Sequence, residues 1–115
     1  MESVERANIT VVSELDTTQE KYVHKFQKPY IYENKTYEEL VFDFEKLRGE
    51  DLVAIENEMT SLGEIALSPE ISTAYLYRLA ARAAGVGSDV ILQLPAKEFG
   101  RIKNKARDFL ISLGF

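Results

Sequence analysis

Apolar and polar positions alternate over residues 22–27, and this pattern predicts a half-buried β-strand because successive side chains face opposite sides. One face carries Tyr22, His24 and Phe26. Lys28-Pro29 interrupts the alternation, and a proline inside a strand predicts an edge or a bulge. Aromatic and β-branched residues resume over residues 30–32, so we expect the strand to continue there.

The next segment fits two patterns. Helical spacing is present in Tyr37, Leu40, Val41, Phe44 and Leu47, and Thr36 with Glu39 resembles a capping box. Strand-like alternation is present in Leu40, Phe42 and Phe44. Asn34 tolerates the left-handed conformation that a tight reversal requires, and the flanking residues favour β-structure. We therefore predict a hairpin closed near Asn34-Lys35, although glycine would suit this turn better than lysine.

The rest of the chain predicts three helices, because apolar residues recur at spacings of three and four. The first seam is Leu52, Ile55, Met59 and Leu62, and the last is Phe99, Ile102, Ala106, Phe109 and Leu113. The first helix is expected to end at Gly63. Ser68 as N-cap, Pro69 at the first helical position and Gly85 as the stop delimit the second helix. The last helix begins near Pro95.

This order of elements predicts an α+β fold, with an N-terminal β-hairpin followed by three helices, in a single domain over residues 21–115. The length of 115 residues agrees with one domain. Residues 1–20 are polar and acidic, and we predict a flexible acidic N-terminal tail there. Only the stretch ITVV at residues 9–12 has the composition of a short strand.

Composition removes several classes of function. The chain has 19 acidic against 14 basic residues, a net charge of −5, which argues against a nucleic-acid-binding protein. It contains no cysteine, so disulfides and thiolate zinc sites are excluded. The acidic start lacks the basic and apolar regions of a signal peptide, and no apolar run is long enough to predict a membrane helix.

We find no motif that predicts catalysis, a cofactor or a metal. His24 is the only histidine, and its place on an alternating strand predicts an ordinary surface or half-buried residue. Neighbouring carboxylates such as Glu50-Asp51 suit a helix start, and they do not define acid–base catalysis without a cleft that separates their pKa values. The sequence GVGSDV at residues 85–90 resembles the start of a phosphate loop but lacks its lysine and follows a helix. We therefore predict that the protein is not an enzyme.

Two features bear on partners. The second helix is apolar around much of its circumference, so it lies either at the centre of the domain or against another chain. For the second alternative the candidate partner-binding residues are Leu76, Tyr77, Ala81 and Ala84. The last helix has five basic and two acidic residues, a net charge of +3, which leaves −8 for the remainder. It forms either a solvated basic face or an electrostatic match to an acidic region of another copy.

The motifs resemble those of small tail assembly chaperones of tailed phages and prophages. The resemblance covers about residues 26–113 and rests on Lys28-Pro29, the tip at Asn34-Lys35, Tyr37 to Leu40 in a Y-x-E-L pattern, and LPAKEF at residues 94–99. The tip lacks the glycine usual in this pattern, and the acidic lead is longer than expected.

This resemblance implies a function that composition does not. It implies that the protein works in the host cell cytoplasm during phage tail assembly and binds the tape-measure protein. The tape-measure protein would stay soluble until the tail-tube protein polymerises around it, without nucleotide hydrolysis. Self-association into an oligomer is compatible with this role, and neither nucleic acid nor membrane is an expected partner. The alternative is a structural tail or head-to-tail connector subunit that stays in the virion.

Overall fold

A computed structural model describes residues 21–115, and its first feature is an antiparallel β-hairpin. Strand β1 spans Lys21–Tyr32 and strand β2 spans Lys35–Asp43. The predicted hairpin is confirmed, and the helical alternative for the second half of this region is wrong. The predicted tail at residues 1–20, with its ITVV stretch, lies outside the described residues.

The hairpin closes through Glu33 and Asn34, which have φ angles of 49° and 67°. Tyr32 pairs with Lys35, so the loop contains two residues, both in the left-handed region, as in a type I′ turn. The tip therefore lies one residue earlier than the predicted position at Asn34-Lys35. Asn34 was correctly predicted to adopt a left-handed conformation. The positive φ of Glu33 was not predicted, because glutamate is not among the residues that favour this conformation.

Strand β1 contains a wide bulge around Pro29. Lys25 pairs with Glu39 and Tyr30 pairs with Tyr37, so residues 26–29 of β1 face a single residue of β2. Proline has no amide hydrogen to donate to a neighbouring strand, which explains why pairing stops here. The predicted interruption at Lys28-Pro29 is therefore confirmed as a bulge.

Four helices follow the hairpin: α1 (Gly49–Ser61), α2 (Thr73–Ala84), α3 (Ser88–Leu92) and α4 (Ala96–Ser112). The α+β fold with an N-terminal hairpin is as predicted, and three of these helices correspond to the predicted ones. The short helix α3 was not predicted, because five residues provide too little periodicity to recognise. Single 3₁₀ turns at Phe44–Lys46 and Pro69–Ile71 precede α1 and α2.

The helix ends show which local signals were decisive. Ser68 does not cap α2; it precedes the 3₁₀ turn, and the α-helix begins four residues later than expected. Ser72 is the N-cap, and its hydroxyl accepts the Tyr75 N–H at 3.2 Å. Gly85 has φ of 71° and ends the helix as predicted. The last helix begins directly after Pro95, also as predicted.

Helix α2 lies at the centre of the domain, where it packs against α1, α3, α4 and β2. Seven consecutive residues from Tyr75 to Ala81 are buried, including the charged Arg78. The core also contains Leu40, Phe42, Phe44, Ile55, Met59, Ile91, Leu94, Ile102, Ala106 and Leu110. The structure thus selects the first alternative for this apolar helix, a central position within its own domain.

Arg78 is buried to 5% exposure and joins α2 to the end of α1. Its Nε donates to Glu58 at 2.9 Å, and one terminal nitrogen donates to the Ala74 carbonyl at 2.8 Å. The guanidinium carbon lies 4.9 Å from the centre of the Tyr77 ring. These contacts satisfy a charge that would otherwise be costly to bury, and they fix the angle between two helices.

Within residues 21–115, no helix is long and apolar enough to cross a membrane.

Candidate partner-binding site

An apolar groove lies between the bulge of β1 and the beginning of α4. It has a volume of about 430 Å³. Its lining residues are Phe26, Gln27, Lys28, Pro29, Tyr30 and Ile31 from the strand and Pro95, Lys97 and Glu98 from the helix start. Ile31 is 69% exposed, so its apolar side chain is accessible to a partner.

The bulge creates this groove because it directs four residues away from β2 and over α4. Tyr30 holds the far side of the bulge, since its hydroxyl donates to the Val90 carbonyl of α3 at 2.9 Å. On the near side, Phe26 packs between His24 and Tyr30, with ring centres 5.0 and 5.7 Å away. The apolar floor is therefore built on ordered elements rather than on a loose loop.

A hydrogen-bonded network anchors the groove to α4. The Tyr22 hydroxyl lies 2.7 Å from His24 Nδ1, and His24 Nε2 lies 2.5 Å from Glu98 Oε1. A neutral imidazole satisfies both contacts, with Tyr22 donating to Nδ1 and Nε2–H donating to the carboxylate. The backbone N–H of Gln27, inside the bulge, donates to the other Glu98 oxygen at 3.4 Å.

The environment of Glu98 shifts its pKa. Burial by itself would raise that pKa, but the hydrogen bonds from His24 and from the Gln27 N–H, together with the charge of Arg101, lower it below its usual value. Burial also raises the pKa of the Tyr22 hydroxyl, and the Glu98 carboxylate adds to that rise while Arg101 opposes it. The network is therefore an ionised carboxylate held by the His24 ring and the Gln27 N–H, which is a stable structural anchor at neutral pH.

His24 itself is buried, at 2% exposure, rather than on the surface or half-buried as predicted. The alternating pattern placed it on the same face as Tyr22 and Phe26, but it could not show that Glu98, 74 residues later in the chain, would lie opposite it.

The charges around the groove indicate what it can bind. Lys28 and Lys97 are exposed on opposite walls, and Glu98 is engaged by His24. An apolar floor between two lysines suits one side of an amphipathic helix that presents apolar side chains flanked by carboxylates. Contacts of this kind gain binding energy from the apolar floor and orientation from the lysines.

The four predicted partner-binding residues do not line this groove. Leu76, Tyr77 and Ala81 are buried among core side chains, and Ala84 is half-buried beside them. They stabilise the fold, and a partner could contact the first three only if the domain opened. Sequence reasoning did not single out Ile31 and Pro95, because they become neighbours only when the bulge folds over α4.

The remaining sequence candidates fall into structural roles. The phosphate-loop-like sequence at residues 85–90 connects α2 to α3: Gly85 is the C-cap of α2, and Gly87 is the N-cap of α3. Asp51 accepts the Arg48 N–H at 2.8 Å and binds Arg82 Nε at 2.9 Å, so this carboxylate caps α1. In the part of the chain that the structure describes, no group of three or more His, Cys, Asp or Glu residues could hold a metal ion.

No protein-family model matches the chain, and neither the curated proteins nor the solved structures contain a match.

Proposed function

We infer that this protein is a phage or prophage tail assembly chaperone that binds the tape-measure protein in the host cell cytoplasm and keeps it soluble until the tail-tube protein polymerises. The observation that carries the proposal is the apolar groove between the β1 bulge and α4, flanked by Lys28 and Lys97. The sequence resemblance supplies the partner, and the groove supplies a means of binding it without chemistry on the substrate.

A long amphipathic helix outside its tube exposes an apolar stripe, and such stripes aggregate. The groove offers about 430 Å³ for apolar side chains from one or two turns of such a helix. A single contact of this size is weak, but copies that also associate with one another would cover one long chain cooperatively, through multivalency. Weak individual contacts also allow the chaperone to leave when tube subunits arrive.

The second candidate is a structural tail or connector subunit that stays in the virion. Exposed apolar side chains outside the groove support this second candidate, because a structural subunit buries such surface permanently against its neighbours. They include Leu62, Ile65, Leu67 and Ile71 around the connection between α1 and α2. Mass spectrometry of finished tails separates the two candidates: a chaperone is absent or sparse, and a subunit is present in fixed copy number.

The direct test is co-expression with the tape-measure protein of the same phage, followed by measurement of its soluble fraction. We expect the wild-type chain to raise that fraction and Ile31→Asp to abolish the increase, because the substitution places a charge on the apolar wall of the groove. Val53→Asp is the matched control, since Val53 is 54% exposed on α1 and lies outside the groove.

Two results would count against the proposal. A tape-measure protein that stays equally insoluble with and without the chain would remove the holding role. Equal effects of Ile31→Asp and Val53→Asp on a folded protein would remove the groove as the binding site.

A further inference from the structure

A second groove, of about 310 Å³, lies where β1 begins beside the C-terminal half of α4. Its lining residues include Lys21, Tyr22, Phe44, Lys105, Asp108 and Phe109. The rings of Phe44 and Phe109 stack with centres 5.2 Å apart. The Lys105 amino group lies 5.1 Å from the centre of the Tyr22 ring. The second groove therefore has the same character as the first, an apolar surface with lysines beside it.

The two grooves lie at opposite ends of one boundary, along which β1 and α4 run in opposite directions. In the first groove the later part of β1 meets the start of α4, and in the second the start of β1 meets the end of α4. Between the grooves the boundary is closed, because His24 is buried there and contacts Glu98. Lys97 lines the first groove and Lys105 the second, so about 12 Å of helix separates them.

Three exposed basic residues on α4 connect the two grooves. Lys97, Arg101 and Lys105 follow one another at intervals of four, which places them on the same side of the helix. Burial raises the pKa of Tyr22 and the charge of Arg101 opposes that rise, so Arg101 also lies near the boundary with β1. This basic row presents a line of positive charge that runs from one apolar groove to the other.

The complement of this surface is an acidic amphipathic helix. Carboxylates at intervals of four on such a helix lie on one side, with the same spacing as the basic row. Apolar side chains about two turns apart on that helix reach the two grooves. A nucleic acid is a weaker match, because the chain has a net charge of −5 and the grooves suit apolar side chains better than phosphates.

We propose that a single acidic amphipathic helix of about 15 residues lies along α4, with apolar side chains in both grooves and three carboxylates facing the basic row. The inference rests on the proposed function, because the first groove is the site assigned there to the tape-measure protein. It adds which helical segments of that protein are bound, namely those with carboxylates at intervals of four beside their apolar stripe. Asp108, beyond Lys105 in the second groove, disfavours a fourth carboxylate at that end.

The test is the binding of two synthetic helical peptides to the full chain, measured by isothermal titration calorimetry. Both peptides have the same leucines at the positions that face the grooves. One has glutamates at the three positions that face the basic row, and the other has glutamines there. We expect the glutamate peptide to bind about tenfold more tightly, at about twofold for each exposed ion pair. Raising the ionic strength should remove most of this difference.

Lys105→Glu should weaken the binding of the glutamate peptide about fivefold, because it replaces an attraction with a repulsion at the second groove. Arg107→Glu is the matched control, since it makes the same charge change on an exposed residue of α4 outside both grooves. It should change the affinity by less than about twofold. Circular dichroism of both variants checks that they are folded.

Equal affinities of the two peptides would overturn the inference, as would equal effects of Lys105→Glu and Arg107→Glu. A single-stranded oligonucleotide that binds more tightly than the glutamate peptide would also overturn it, because the basic row would then be a nucleic-acid site. Failure here is distinct from failure of the proposed function. If the wild-type chain raises the soluble fraction of the tape-measure protein and Lys105→Glu raises it equally, the proposed function stands and the second groove is not part of the site.

Discussion

His24 is a central contact between the hairpin and the helices. It lies between Tyr22 and Glu98, so one buried imidazole joins the start of β1 to the start of α4. The same carboxylate accepts a backbone N–H from the bulge. A single titratable side chain, Glu98, therefore holds both the imidazole and the bulge in place.

This arrangement predicts an acid-sensitive contribution to stability. The folded-state pKa of Glu98 is below its ordinary value of 4.5. The contribution of Glu98 to the free energy of unfolding is therefore complete above about pH 4.5. It is lost as the pH falls through the lower pKa that Glu98 has in the folded state. We expect Glu98→Gln to lower the free energy of unfolding at pH 7 by about 1 kcal/mol and to remove that part of the acid dependence.

Urea denaturation between pH 2 and 7 measures both effects. Glu45→Gln is a suitable control because Glu45 is exposed in the 3₁₀ turn after β2. If the wild type and Glu98→Gln lose stability in parallel as the pH falls, the carboxylate does not anchor the bulge.

Ala81 and Ala84 distinguish a packed face from an accessible one. Ala81 is 2% exposed in the core, whereas Ala84 is half-buried near the helix end. Ala81→Glu would bury an unpaired carboxylate and should cost more than about 3 kcal/mol, enough to unfold much of the protein. Ala84→Glu should cost about 1 kcal/mol or less. Denaturation midpoints measure this difference, and equal stability of the two variants would contradict the different burial of Ala81 and Ala84.

At the scale of elements, strong local signals were predictable from sequence and distant pairings were not. Gly85 and Pro95 marked a helix end and a helix start correctly, because their chemistry acts on their own backbone. The prediction that Ser68 caps the second helix was wrong, because the Ser68-Pro69 pair begins a 3₁₀ turn instead. Ser72, also a serine, provides the N-cap of the α-helix. The first groove could not be foreseen, since it joins residues 26–31 to residues 95–98.

The turn of the hairpin provides a test of backbone strain. Glu33 and Asn34 both adopt positive φ, which costs free energy for a glutamate. Glu33→Asn with Asn34→Gly introduces the preferred type I′ sequence and should raise the free energy of unfolding by about 1 kcal/mol. Thermal unfolding measures the change, and Lys35→Gly, just after the turn, should not stabilise. A double variant that melts below the wild type would argue against this turn geometry.

At the scale of the whole molecule, α2 contacts both the hairpin and the other helices, so the described domain has one core. Such a domain should unfold in a single cooperative transition. We expect the far-UV circular dichroism of the helices and the near-UV signal of the six tyrosines, four of which lie in the hairpin, to change at the same denaturant concentration.

Leu79→Ala should lower the denaturation midpoints of both signals equally. It should reduce the free energy of unfolding by about 3 kcal/mol, because Leu79 is fully buried in α2. Val53→Ala on the exposed side of α1 should move neither by more than about 0.5 kcal/mol. Separate transitions for tyrosine and helix signals would mean that the hairpin folds independently.

The bulge at Pro29 also hinders edge-to-edge pairing of the sheet with strands of other molecules. Among residues 21–115 the sheet has only two strands, so each has an outer edge that could template further strands from other molecules. Pro29 interrupts the edge of β1, and Lys21, Lys25 and Lys28 add charge along it. A chain shortened to remove the bulge would present a straight, regular edge and should form amyloid-like fibrils more readily than the natural sequence.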